Sequence, residues 1–164
     1  RSPEAQSVRD ARVLGTLFFR LASFPVTVIS AVRGAAIGGG FGLVCCSDVV
    51  VAESKAVFAT SEVRLGIVPG VISPYIVRKL GCGRAAVPML SGSRMSAAEA
   101  KEMGLVNRIV ESDVPDSVFQ NALLGVVNEH LAAAPNAVRR TKELLRKIHP
   151  LPAAMPAARR RSCL

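Results

Sequence analysis

With 164 residues, half of them apolar, the chain can bury one sizeable core, and its apolar runs are broken by glycine and proline where a compact fold needs turns. No run reaches the roughly 18 to 20 apolar residues that a membrane-spanning helix requires, and the first residues lack the apolar centre of a signal peptide. The formal charge of +9 raises a nucleic-acid reading, but much of the excess gathers in Arg139, Arg140, Lys142, Arg146, Lys147, Arg160 and Arg161, offset there only by Glu143; without an RNA-binding aromatic pattern, no nucleic-acid partner is favoured.

The helical period of Val8, Ala11, Leu14, Leu17, Phe18 and Leu21 predicts a helix over 8–22. Beyond Pro25, the β-branched run Val26 to Val32 predicts a buried strand. A glycine-rich turn is expected over Gly34 to Gly42, with a short helix over Leu43 to Cys46, and Val49 to Ala52 reads as a second strand-like run. Ala56 to Ala59 approaches Ser61-Glu62, and Pro69-Gly70 marks a further turn. Ser73-Pro74 opens a helix that Gly81 can end, and Pro88 is either a new helix start or a kink. Ser96-Ala97-Ala98-Glu99 has the form of a capping box, and Gly104 should stop that helix. Longer helices are expected over 116–133 and from Pro135 through Ile148, and the Ala/Pro/Arg-rich stretch after Pro150 reads as a peripheral tail. Cys45, Cys46, Cys82 and Cys163 show neither CxxC pairing nor a disulfide-rich context. They read as structural thiols in a reducing compartment, cytoplasm or mitochondrial matrix, and give no metal site.

Two features can carry chemistry. Gly38-Gly39-Gly40, followed by Phe41-Gly42, allows close backbone approach, so that an amide there could face an oxygen gaining charge; the same run could equally be a structural turn. It has neither GxGxxG nor GxxxxGK[ST] spacing, which leaves dinucleotide binding and nucleotide hydrolysis without support. Glu62 can exchange a proton if it faces a ligand, although a lone glutamate on a connection is more often solvated. Asp48, beside a strand, and Glu53, in a polar turn, are expected to be structural.

Taken in order, Ala35 to Gly40, Cys46 to Val49, Ser61 to Gly70, Leu90 to Gly92 and Ala97 to Val106 resemble the enoyl-CoA hydratase/isomerase, or crotonase, superfamily over roughly Phe24 to Glu111. The resemblance implies an α/β fold, a spiral of ββα units with C-terminal helices: a partial core over 1–110, a helical region over 111–150 and the basic tail over 151–164. It also implies assembly as homotrimers or homohexamers. It makes an acyl-CoA thioester the binding partner, with coenzyme A part of the substrate and no separate cofactor. At the matching positions, the Gly39 amide would stabilise the thioester enolate oxygen and Glu62 would handle the proton. Ala36, Gly38, Phe58, Pro69 and Gly70 would line the substrate site, with core packing equally open for Phe58, and Lys101 or Lys142 would reach the CoA phosphates unless they are solvated helix residues.

The chain departs from the family pattern twice. The earlier loop that normally supplies a second oxyanion amide has no counterpart here, and loss of one such donor costs about 3 to 4 kcal/mol at a transition state. Gly42 stands where two-glutamate hydratases carry their other carboxylate, so Glu62 is the only matched acid/base. Phe41 to Val44, Ser61 to Gly66 and Val71 to Tyr75 look most like the methylglutaconyl-CoA hydratase branch. The expected reaction is reversible hydration of a short or branched 2-enoyl-CoA. Double-bond isomerisation is the first alternative, and a non-catalytic or truncated assembly protein the second.

Overall fold

A computed structural model of the chain describes residues 3–150, with side chains from residue 9 onward. Helix α1 (Pro3–Ala22) is followed by β1 (Ile29–Val32), β2 (Ala35–Ile37), α2 (Gly39–Cys45), β3 (Val49–Glu53) and β4 (Val57–Ala59). A short 3₁₀ helix (Glu62–Leu65) leads into α3 (Ser73–Leu80), α4 (Cys82–Ser91), β5 (Met95–Ser96), α5 (Ala97–Glu102), β6 (Arg108–Val110), α6 (Asp116–Leu131) and α7 (Pro135–Ile148).

The strands form two three-stranded sheets, ordered β1-β3-β6 and β2-β4-β5. Pairing is parallel except between β4 and β5, and the registers run Ile29↔Val49, Ala36↔Phe58 and Val51↔Arg108. From β1 to β4 the chain visits the sheets alternately, so that each circuit lays one strand in each and advances the α/β spiral. Gly34, at φ 77°, makes the corner between β1 and β2, in a region that a residue with a Cβ rarely adopts.

The central strand β3 explains the continuous apolar run in the sequence: Val50, Val51 and Ala52 are buried between neighbours on both sides. Phe41 of α2 and Phe58 of β4 are fully buried with ring centroids 6.4 Å apart, and each contributes about 1.5 to 3 kcal/mol of burial to the core. On the other face of the first sheet, α6 packs Phe119 and Val126 against Val51 and Val110. Arg33 ties that helix down, pairing with Glu53 at 2.7 Å and with Asp116 while its guanidinium lies over the Phe119 ring.

Several expectations are met at the residue level. Helix α7 spans the expected Pro135–Ile148, Gly81 follows α3, and the capping box forms, with the Glu99 amide donating to Ser96 Oγ and the Ser96 amide to Glu99 Oε2. Glu53 pairs with Arg33, and Asp48 accepts from the Val28 amide at 2.7 Å and from Lys142 at 2.5 Å, both structural uses.

Others are corrected. The strand expected from Val26 begins only at Ile29 and is half-buried, because β1 lies on a sheet edge and the Val28 amide goes to the Asp48 carboxylate instead of a ladder. The expected glycine turn over 34–42 is a corner glycine at 34, a short strand, a second positive-φ glycine at 38 and the start of a helix. Of the two readings of Pro88 the helix start is set aside: the residue sits buried inside α4, where a kink remains the open one. The basic tail lies outside the described residues.

Candidate active site

Helix α2 begins within the glycine run. Gly38 precedes it at φ 56°, ψ −119°, and spends its own amide on the Ala59 carbonyl at 2.9 Å, which pins the turn to β4. The first intrahelical bond is from Gly42 N to Gly38 O at 3.0 Å. The amides of Gly39, Gly40 and Phe41 therefore precede the hydrogen-bonded ladder, as at any helix start. Gly39 is the exposed one of the three.

Glu62 comes to this helix start from the other side. It opens the 3₁₀ helix just beyond β4, and its Oε1 lies 3.3 Å from the point where a Cβ on Gly38 would stand. Any larger residue at 38 would press on the carboxylate as well as strain the backbone. Glu62 Oε2 is buried, and among the described residues no donor reaches it. A buried carboxylate oxygen without a donor is costly for a fold and is commonly found where function requires it. Two elements distant in sequence thus meet, glycine turn against glutamate.

Gly42 is the site's second constraint. A Cβ there would stand 2.5 Å from Ile72 Cγ2, 3.1 Å from Ile72 Cβ and 3.3 Å from Phe18 Cζ, and both neighbours are buried. The place where a second carboxylate would stand is filled by isoleucine and phenylalanine. In sequence Gly42 marks only a missing acid; its packing against Ile72 and Phe18 is not legible there, since 18, 42 and 72 meet only in the folded chain.

The remaining candidates are distributed as follows. Ala36 is buried in β2 opposite Phe58. Phe58 itself has no exposed surface and packs in the core against Phe41, the second of the two roles open to it in the sequence. Pro69 and Gly70 turn the chain from the 3₁₀ helix into α3: the Pro69 carbonyl receives the Ser73 amide at 2.9 Å and the Ser73 hydroxyl, and Gly70 N donates to Val68 O at 2.7 Å. Lys101 is exposed in the last turn of α5. Lys142 is put to another use than phosphate binding: it is 8% exposed, and its ammonium donates to Asp48 Oδ2 at 2.5 Å and to the Val26 carbonyl at 2.7 Å. The thiols of Cys45 and Cys46 are buried and pushed up in pKa by desolvation, Cys46 to about 12, so neither is poised as a nucleophile. Among the described residues no three His, Cys, Asp or Glu side chains gather as a metal site, and no helix is long and apolar enough to cross a membrane.

A chain alternating between two sheets, with a glycine-built helix start facing a lone carboxylate, defines an α/β scaffold of the crotonase type. The chain belongs to the enoyl-CoA hydratase/isomerase family, whose sequence profile matches residues 3–159. It superposes on the crystal structure of an enoyl-CoA hydratase from Shewanella pealeana with a TM-score of 0.81 at 36% identity, over 90% of this chain and 53% of that one. It is 38% identical over 104 residues to methylglutaconyl-CoA hydratase 1, mitochondrial, of Pyricularia oryzae, over 63% of this chain and 30% of that one. To the mevalonyl-coenzyme A hydratase sidH of Aspergillus fumigatus it is 48% identical over 88 residues, 52% of this chain and 32% of that one. The chain spans about half the length of curated relatives that it matches over three quarters or more of its own length, between 42% and 54%. The methylglutaconyl branch is not singled out, since relatives named for different acyl groups match comparably.

Proposed function

We propose that the protein acts on acyl-CoA thioesters as a hydratase of 2-enoyl groups, with Glu62 as its one acid/base. The buried, unpartnered Oε2 of Glu62 beside the helix start at Gly39 is the observation that carries this reading. The Gly39 amide receives the thioester oxygen as electron density moves onto it. Glu62 takes a proton from water as the hydroxyl adds to C3 and returns a proton to C2; reversal dehydrates the product. In this reading Ala36 and Gly38 let the acyl group approach the backbone, and Lys101, exposed on α5, would meet a CoA phosphate. The likeness to hydratases named for methylglutaconyl-CoA and mevalonyl-CoA supports a short, methyl-branched acyl group. Assembly as a trimer or dimer of trimers, in cytoplasm or mitochondrial matrix, fits the same reading.

The filled space at Gly42 favours a second reading, double-bond isomerisation, because moving a proton from one carbon to another needs a single carboxylate. Incubation of 2-enoyl and 3-enoyl thioesters in ¹⁸O-labelled water separates the two. Hydration places label in a 3-hydroxyacyl product, isomerisation converts 3-enoyl to 2-enoyl without label, and no conversion of either thioester would refute both.

A further inference from the structure

The 3₁₀ helix that carries Glu62 has no buried residue and no side-chain cap, so burial does not hold it in place. Its anchor lies just before it. Thr60 is completely buried, and its hydroxyl donates to the Pro88 carbonyl at 2.6 Å. That carbonyl belongs to the last turn of α4 and also receives the amide of Gly92, the left-handed glycine that ends the helix at φ 62°. Arg64 Nε donates to the Ser91 carbonyl at 3.2 Å in the same turn. A Cβ on Gly92 would stand 2.9 Å from Arg64 Cγ and 3.1 Å from both Thr60 O and Val63 Cγ2, so the segment around Glu62 rests directly on a bare glycine. The end of α4 is a platform, and two polar bonds flanking Glu62 fasten it there.

We infer that Thr60 is a positioning residue for Glu62: its buried hydroxyl, bonded to the Pro88 carbonyl, sets where the Glu62 carboxylate stands relative to the helix start at Gly39. The inference rests on the reading of Glu62 as the proton carrier. With no donor at Glu62 Oε2 among the described residues, the side chain takes its place from the backbone beneath it. A shift of that backbone by an ångström moves the reacting oxygen by a similar amount, a displacement that can cost on the order of a hundredfold in rate.

The test compares Thr60→Val, which keeps the shape and removes the hydroxyl, with Thr60→Ser, which keeps the hydroxyl, each in the unaltered and the Glu62→Gln protein. Thr60→Val is expected to lower kcat by about tenfold to a hundredfold with KM little changed, and Thr60→Ser to retain most of it. In the Glu62→Gln background, Thr60→Val should cost nothing further, because there is no proton carrier left to misplace; a general loss of folding would act equally in both. Arg64→Gln, at an exposed position, removes the companion bond and should show the same dependence on Glu62 with a smaller factor, which decides the matter if Thr60→Val does not fold. Equal losses in both backgrounds, or full kcat in Thr60→Val or Arg64→Gln, overturn the inference. If Glu62→Gln alone keeps full turnover, the reading of Glu62 itself falls; if it loses turnover while Thr60→Val does not, only the positioning role falls.

Discussion

Replacing Gly42 by alanine tests whether the space of the absent second carboxylate is truly filled. The added methyl would stand 2.5 Å from Ile72 Cγ2, about an ångström inside the 3.5 to 4.0 Å at which carbon atoms rest against one another. Ile72 and Phe18 are 4% and 1% exposed, so neither can swing into solvent to make room. Overpacking of this kind costs about 1 to 3 kcal/mol, and the depth of the overlap points to the upper half of that range. Alanine's preference for a helix interior offsets about 1 kcal/mol, leaving a net loss of about 1 to 2 kcal/mol. For a chain of this size that lowers Tm by roughly 2 to 8 °C. Gly40 supplies the control: it lies in the same helix with nothing within 4 Å of its Cβ position, so Gly40→Ala should be neutral or stabilising. Removing Ile72 Cγ2 by Ile72→Ala costs about 2 to 5 kcal/mol alone, yet the Gly42→Ala/Ile72→Ala double variant should lose less than the sum. Thermal and urea unfolding followed by circular dichroism measures all four. Equal stability of the two glycine variants, or strict additivity in the pair, would refute the packing argument and reopen position 42 to a larger side chain.

Lys142→Met keeps the stem and removes the ammonium that joins Asp48 to the Val26 carbonyl; about 1 to 3 kcal/mol of stability should be lost in urea titration with acyl-CoA affinity unchanged, whereas weaker affinity at constant stability would restore a phosphate-binding role. Peptide-mapped alkylation at pH 8 should modify exposed Cys82 while sparing Cys45 and Cys46, whose raised pKa values keep them as neutral thiols until the chain unfolds; rapid labelling of either in the folded protein would contradict their placement.

Local chemistry made much of the fold legible. The capping box at Ser96 and Glu99, the Pro135 start of α7 and the glycine after α3 depend on residues within a turn of one another, and each forms as the sequence implies. What the sequence hid is long-range. Val26 to Val28 have strand-forming side chains, but strand pairing is decided by β3, across twenty residues, and by an aspartate that takes the Val28 amide. Gly39 and Gly40 disfavour helix, yet they form the first turn of α2, which is pinned by the Gly38 bond to β4 and by Phe41 in the core. At the site, Glu62 and the glycine run were visible as residues. Phe58 and Lys142 stayed open between a ligand and the protein itself, because an aromatic and a lysine look alike in sequence in either use; in the fold both meet the protein. Thr60 gave no signal, and Ile72 and Gly92 showed only as members of family-like stretches, since their packing roles depend on partners 28 to 32 residues away.

Steady-state turnover of an enoyl thioester by Glu62→Gln, paired with calorimetric titration of the same variant with a saturated acyl-CoA, bears most directly on the account. Glutamine keeps the shape beside Gly38 and cannot carry the proton, so kcat should fall by about a hundredfold or more while the ligand binds as tightly as before. Undiminished turnover with unchanged binding would show that the proton travels by another group.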